Sequence, residues 1–354
     1  MPVAASYDRE RYSRQVLFAG IGEAGQQRLT SGHIAIVGVG ATGAASAALL
    51  ARAGVGHLTL IDRDFVEPSN LHRQMLFDEQ DAMDAMPKAE AARRQLARIN
   101  SSVVVEAQVA DLVPGNIDLL LKDADLVLDC TDNFETRYLI NDYCVREGRP
   151  WIYAAAVGSF AVTMNILPKG ETGDVAERVS ATACLACIFP AAPTGDVPTC
   201  DTAGILSTAV NFAASIQVTE ALKFLTGQAE TMRRSLISYD LWSGERSEIA
   251  TGKPRQDCEV CGRRSFRALA GEGRPHVTLC GRNSVQIHEH HRPLDLAVLH
   301  QRLAPLGEVR SNGLLLRFAR PPHTLTVFPD GRALIQGTTD VGIARALYAR
   351  FVGS

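Results

Sequence analysis

The 354-residue sequence predicts an α/β fold: a doubly wound sheet with an antiparallel extension, followed by a small C-terminal α+β module. Three observations predict it. Short apolar runs alternate with helical periodicities up to Trp151, which is the pattern of a parallel sheet covered on both faces. A glycine-rich turn sits between the first run and the first helical segment. After Trp151 the rhythm becomes strand-rich, and it changes again after Arg267, where Gly271, Gly273 and Pro275 mark a linker.

The elements follow in order. Ile34–Val39 is a buried strand ending in glycines, Thr42–Ala53 a small-residue helix, and Leu58–Asp62 a second strand. Lys88–Ile99 is a helix, because Ala89, Ala92, Leu96 and Ile99 share one stripe. Val103–Ala107 and Leu126–Asp129 are strands, and Thr136–Glu147 is a helix. Ile152–Ala156 and Ala161–Leu167 flank Gly158-Ser159 as strands. An irregular stretch, Pro168–Thr202, is long enough to need a use. Ala203–Leu225 is mostly helical, and Leu236–Leu241 with Gly244–Ile249 form a hairpin. The predicted domains are residues 1–266 and 267–354. In the second, strands are expected at His276–Cys280, Ser284–Ile287, Gly313–Phe318, Thr324–Phe328 and Ala333–Gln336, and helices at Leu294–Leu303 and Val341–Phe351.

Composition excludes several classes. Hydrophobic residues make up 46% and charged residues 21%, with a net charge of −3. That is ordinary globular usage, neither disordered nor collagen-like, and it lacks the basic excess of a nucleic-acid binder. Two uncharged stretches, Ile34–Ala51 and Trp151–Pro168, carry too many small or polar residues for membrane spans and read as strand–helix and strand–strand pairs. The N-terminal residues lack the apolar core of a secretory signal, so the cytoplasm is the expected compartment.

Gly38-Val39-Gly40-Ala41-Thr42-Gly43 fits G-x-G-x-x-G between a strand and a helix. There a helix N-terminus offers free N–H groups to phosphate. Asp62 ends the next strand, where a carboxylate accepts ribose hydroxyls. The reading is an adenine nucleotide in a Rossmann-like fold, without separating NAD from ATP. Charged residues gather downstream: Asp62-Arg63-Asp64, Ser69-Asn70-Leu71-His72-Arg73-Gln74, Pro87-Lys88 and Asp129-Cys130-Thr131-Asp132-Asn133, with Arg14 near the N-terminus. Cations and a carboxylate at one sheet edge suit phosphoryl or nucleotidyl transfer. An NAD-dependent oxidoreductase would leave Arg73, Lys88 and Asp132 without a task, and a silent scaffold would not need the charged set.

Eight cysteines in a chain without an export signal are expected to be reduced. Cys184-x-x-Cys187 and Cys258-x-x-Cys261 form a candidate four-thiolate zinc site, closed and therefore structural. Cys200, before a predicted helix, is a candidate nucleophile. Cys130 and Cys144 read as small buried hydrophobes. His288-Glu289-His290-His291 reads as a polar loop cluster.

In order, R-Y-S-R-Q, the glycine turn, D-R-D, S-N-L-H-R-Q, P-K, D-C-T-D-N and the paired cysteines resemble the ThiF/MoeB/HesA family, related to ubiquitin-activating enzymes, over residues 9–262. The opening segment and C-D-T-A-G-I-L resemble the ThiF branch more than the MoeB branch. The resemblance implies an adenylyltransferase that uses ATP and Mg2+ on the C-terminal Gly-Gly carboxylate of a ubiquitin-like sulfur carrier. A ThiS-like carrier, for thiamine thiazole synthesis, is favoured over a MoaD-like one, for molybdopterin. It implies nucleotide contacts from Gly38, Gly40, Ala41, Gly43, Asp64 and Asn133. It further implies that Asp62 holds the ribose, that Asn70, Arg73 and Lys88 contact phosphates, and that Asp132 binds magnesium. Arg14 reaches a neighbouring subunit's site, so a homodimer is expected. Cys200 is a candidate for covalent bonding to the carrier or for sulfur transfer. Ala41 stands where many relatives have glycine. The C-terminal module lacks a rhodanese-like cysteine loop, so the sulfur donor is expected to be a separate protein such as a cysteine desulfurase.

Overall fold

The computed structural model describes residues 7–169, 180–191, 203–271, 277–280, 284–287 and 293–353. Two compact units divide the chain at Met1–Glu272 and Gly273–Ser354.

In the first unit the helices are α1 (Ser13–Val16), α2 (Gly22–Ser31), α3 (Ala41–Ala53), α4 (Glu79–Met83), α5 (Lys88–Ile99), α6 (Ile117–Leu121), α7 (Phe134–Arg146), α8 (Leu185–Ile188) and α9 (Ser207–Leu225). The strands are β1 (His33–Val37), β2 (His57–Asp62), β3 (Val104–Val109), β4 (Leu126–Asp129), β5 (Trp151–Val157), β6 (Phe160–Ile166), β7 (Ser235–Asp240) and β8 (Arg246–Ala250). They form one sheet in the order β3-β2-β1-β4-β5-β6-β7-β8. From β3 to β5 all neighbours run parallel; from β5 to β8 each pair is antiparallel.

Strands β1, β2 and β4 are buried on both faces because helices cover both, whereas edge strand β3 is partly exposed. Ala35, Val37, Ile61 and Val127 share a core with α6, α7 and the paired cysteines. The alternate residues Ile34, Ile36, Leu58 and Leu60, also buried, point the other way. On that face α3 packs against α5 and α9. Helix α3 is mostly alanine, which lets backbones approach closely. Its end is set by Gly54, in the left-handed conformation at φ 78°.

Both uncharged stretches resolve as strand plus helix or strand plus strand, and no described helix is long and apolar enough to cross a membrane. Helix α2 has no counterpart among the predicted elements. Only Gly25, Gln26 and Leu29 are buried along it, so its stripe is too polar to show as periodicity. Residues 267–271 belong with the first unit. Ala268 N–H donates to Asp142 Oδ2 at 2.8 Å, and Phe266 and Leu269 pack on its core.

The second unit has strands β9 (Val277–Cys280), β10 (Ser284–Ile287), β11 (Glu308–Ser311), β12 (Leu316–Arg320), β13 (His323–Val327) and β14 (Ala333–Gln336). Helices α10 (Leu296–Leu303) and α11 (Val341–Phe351) pack on them through Leu299, Leu303, Ala344, Tyr348 and Phe351. The sheet is antiparallel in the order β11-β12-β13-β14-β10-β9. Strand β11 is the unpredicted member; three of its four residues are exposed, which hides any alternation.

Candidate active site

The sheet order reverses at β1, between β2 and β4, and open α/β sheets bind ligands outside the carboxyl ends of strands at such a point. The glycine turn lies there. Gly38 adopts φ 85°, and a Cβ on it would stand 2.8 Å from the Cys130 carbonyl oxygen, so only glycine fits between the two strand ends. A Cβ on Gly43 would stand 1.9 Å from the Gly38 oxygen, so that glycine fixes the turn against its helix. Gly40 differs, since its missing Cβ would face only Gln74 Nε2 at 3.8 Å. Gly40 begins α3 without a side-chain cap. Ala41 is the first helical residue, and the N–H groups of this first turn have no intrahelical acceptors.

Asp62 ends β2 beneath this turn. It accepts from Val39 N at 2.6 Å and from Asp64 N at 2.7 Å. Burial raises its pKa, opposed chiefly by the charge of Lys88. Lys88 opens α5 and is itself buried. Its Nζ lies 3.2 Å from Asp64 Oδ2. Burial disfavours the ammonium, but Asp64, Asp62 and Asp132 together outweigh it and raise the pKa above the ordinary lysine value. Lys88 is thus a fixed cation at the strand ends.

The segment after Asp64 folds over the turn. Asn70 is fully buried; its Oδ1 accepts from Glu67 N at 3.1 Å, while its Nδ2 has no partner. Arg73 is buried and tethered by a hydrogen bond to Ser69 O at 2.9 Å. Gln74 is buried too, with an unpartnered Oε1. Orphaned buried polar groups are costly, and the Gln74 amide stands on the open side of Gly40.

At the end of β4, Asp129 accepts from Thr131 N and Oγ1 at 3.0 and 2.7 Å. Asp132 is exposed, and Asn133 caps α7 by accepting from Thr136 N at 2.9 Å. Beneath them Arg137 is buried. It lies 3.4 Å from Asp129 Oδ2, donates to Thr131 O at 2.6 Å, and stacks on Phe134 and Tyr153. Gln217 of α9 binds the layers together. It donates to Asp129 O and Ile152 O at 3.0 and 2.9 Å, and accepts from Ser46 Oγ and Cys130 Sγ at 3.1 and 3.2 Å.

Gly38, Gly40, Ala41, Gly43, Asp62, Asp64, Asn70, Arg73, Lys88, Asp132 and Asn133 all therefore lie on the turn or on the strand ends and loops around it. Arg14 does not join them through any contact. Tyr12 and Gln15 pin its short helix to the first unit, by bonds between Asn100 Nδ2 and Tyr12 Oη at 2.7 Å and from Gln15 Nε2 to Ala53 O at 2.8 Å. The Arg14 side chain is exposed, beside exposed Leu17 and Phe18. Cys200 lies outside the described residues, as do His288–His291. Cys130 and Cys144 are buried, and burial pushes both thiols up, as expected of small packed side chains.

The sequence did not single out Gln74, Arg137 or Gln217. Gln74 closes the quoted S-N-L-H-R-Q run. Arg137 is a lone cation one turn into the helix after D-C-T-D-N, and Gln217 a lone amide in an apolar stretch of α9. Each signal is a single polar residue, whose partners only the fold reveals.

The four paired cysteines meet on the core shared with α6 and α7. All their sulfurs lie within 4.8 Å of one another, with Cys184–Cys187 at 3.9 Å, Cys184–Cys258 at 3.7 Å and Cys187–Cys261 at 3.3 Å. Thiolates about 2.3 Å from one zinc in a tetrahedron stand about 3.8 Å apart, so this donor set fits zinc. Hydrogen bonds from Cys184 and Cys261 pull the Cys187 thiol well down toward thiolate. Among the described residues no further histidine, cysteine or carboxylate joins the four.

Residues 12–260 match the model of the ThiF family. The chain is 44% identical to the sulfur carrier protein ThiS adenylyltransferase of Bacillus subtilis, over 97% of this chain and 99% of that one. It is 36% identical to the SAMP-activating enzyme E1 of Haloferax volcanii, over 72% and 88% of the two chains. Among solved structures, E. coli MccB bound to ATP shares the fold, at 24% identity and a TM-score of 0.59 over 73% of this chain and 76% of that one. On a family match over most of its length and a near full-length relative, this chain belongs to the ThiF family.

Proposed function

We propose that the protein adenylates the C-terminal Gly-Gly carboxylate of a ubiquitin-like sulfur carrier, a ThiS-like one, at the expense of ATP. The product would be activated for thiocarboxylate formation in thiamine thiazole synthesis. The observation that carries the reading is the buried Lys88 ammonium held among Asp64, Asp62 and Asp132 at the sheet's switch point. An oxidoreductase has no use for a fixed cation there. A triphosphate meeting a carboxylate does, because like charges must be offset before bond formation.

In this reading the α3 N-terminus and Gly40 cradle phosphate, and Asp62 holds the ribose. Asn70 Nδ2, Arg73 and Lys88 donate to phosphate oxygens. The carrier carboxylate attacks the α-phosphorus, the bond to the β-phosphate oxygen breaks, and pyrophosphate leaves with the electron pair. The products are an acyl-adenylate and pyrophosphate. Asp132, an exposed carboxylate, is the residue to hold a magnesium ion, whose chemistry is to neutralise phosphate oxygens. Arg14 would act on the site of a second copy of the chain in a homodimer. The cytoplasm is the proposed compartment, and a cysteine desulfurase the proposed sulfur donor, with Cys200 as the candidate for any covalent step.

The test is carrier-dependent ATP–pyrophosphate exchange with ThiS-like and MoaD-like proteins ending in Gly-Gly. Exchange with the ThiS-like protein supports the proposal. Exchange with the MoaD-like one alone moves the enzyme to molybdopterin synthesis, the second reading. Relatives named adenylyltransferase and sulfurtransferase MOCS3, 33% identical over 90% of this chain in the mouse protein, keep that reading in view. Exchange with neither rejects the carrier assignment.

A further inference from the structure

The site residues named above all belong to the first unit. Residues 273–354 hold ten arginines, no lysine and five acids, a formal charge of +5 in a chain of −3. Four of those acids are committed. Asp295 and Asp340 cap α10 and α11, while Glu308 and Asp330 pair with Arg310 and Arg332. Glu289 is outside the described residues.

Three described arginines are left over, Arg320, Arg345 and Arg350, and two of them meet at one ring. Arg320, at the end of β12, and Arg350, in the last turn of α11, both stand against the Phe351 ring, with Cζ atoms 5.7 and 5.2 Å from its centroid. Neither makes an ion pair or side-chain hydrogen bond among the described residues. A cation in a helix's last turn normally serves its carbonyls. Here that task is taken, because Arg302 donates to Phe351 O and Val352 O at 2.8 and 2.9 Å. Arg350 is therefore free for something else.

Between Arg320 and Arg350 opens a cavity of about 190 Å3, walled also by His323, Leu325, Leu347 and Phe351. Among the described residues no acidic side chain lines it. His323 Nδ1 is buried with no hydrogen-bond partner. Two guanidinium groups that line one cavity, with no carboxylate beside them among the described residues, offer an oxyanion forked hydrogen bonds from each. The aliphatic and aromatic walls suit an apolar body attached to that anion.

We propose that this cavity is a binding site for a small organic oxyanion, a carboxylate or phosphate monoester carried on a compact apolar group. Arg320 and Arg350 grip the anion, and Leu325, Leu347 and Phe351 hold the apolar body. The site is independent of the adenylation reading.

Isothermal titration of the intact chain, its nucleotide site saturated with ATP and magnesium, tests this with benzoate and phenyl phosphate as probes. At least one is expected to bind. Benzoate alone assigns a carboxylate, phenyl phosphate alone a phosphate ester, and both an oxyanion in general. R320Q and R350Q, both exposed positions, should each weaken binding about tenfold or more. R345Q, on the same helix but not lining the cavity, should bind as the parent does. Absence of binding by both probes overturns the proposal. So does a loss in R345Q equal to that in R320Q, which would mean diffuse charge and no site.

Discussion

Lys88 Nζ lies 3.2 Å from Asp64 Oδ2, although 24 residues separate them. The backbone repeats the link, as Lys88 N–H donates to Asp64 O at 2.9 Å. The pair fixes the start of α5 to the end of β2 and aims an ammonium group across the strand ends. Lys88→Ala and Arg73→Ala are each expected to lower carrier-dependent pyrophosphate exchange by on the order of 10²–10³. Near-parental exchange in both variants would remove these residues from the mechanism.

Arg14 sits on an arm pinned by Tyr12 and Gln15 and has no partner in its own chain among the described residues. If it completes a neighbour's site, Arg14→Ala and Lys88→Ala proteins should both be inactive alone. Mixed and allowed to exchange subunits, they should regain exchange activity in dimers with one intact site. A mixture as inactive as its parents argues that Arg14 acts in its own subunit.

The four cysteines should bind about one zinc per chain, measurable by metal analysis of chelator-free protein. Strong chelation or Cys258→Ser should lower the melting temperature, since metal binding is coupled to folding. Because none of the four cysteines lies on the glycine turn, residual folded protein should still bind ATP. Protein that contains no zinc and melts unchanged with chelator would refute the site.

Gln217 satisfies Asp129 O, Ile152 O, Ser46 and Cys130 at once. Gln217→Leu keeps the volume but leaves these groups buried and unpaired, at a cost of about 1–3 kcal/mol. Urea unfolding measures it. No change in midpoint would show that water or rearrangement replaces the amide.

Burial pushes Asp142 up to about 6 from 3.8, against hydrogen bonds from Ala268 and Leu269. A carboxyl whose folded pKa is raised holds a proton the unfolded chain has released. Its penalty is absent below the unfolded value, grows as pH rises, and is complete above the folded value. Asp142→Asn lacks this dependence. Its stability relative to the parent should therefore be greater at pH 7.5 than at pH 4.5, as read from paired urea curves. An equal difference at both pH values would contradict the raised pKa.

Much of this was legible in the sequence. The helix Lys88–Ile99 and the strands Leu126–Asp129, Ser284–Ile287 and Ala333–Gln336 fall where periodicity and apolar runs place them. The G-x-G-x-x-G turn was legible because only glycine tolerates φ 85° at Gly38 and the contact at Gly43. Polar helix α2 and exposed strand β11 were not, since neither carries a clear buried stripe.

The sequence by itself determined most of the strands and the longer helices, the glycine turn, the ordered charged motifs and the paired cysteines, because each depends on local chain chemistry. Tertiary structure alone decided which distant residues meet. It set Gly38 against Cys130, Lys88 against Asp64, Gln217 under Asp129, four sulfurs within 4.8 Å of one another, and Arg320 and Arg350 against one Phe351 ring. The reason is physical: periodicity records which face of an element is buried, whereas a side chain's partner depends on which elements the sheet order brings together. A polar residue such as Arg137 or Gln217 looks the same in sequence whether it is solvated or holds a site in place.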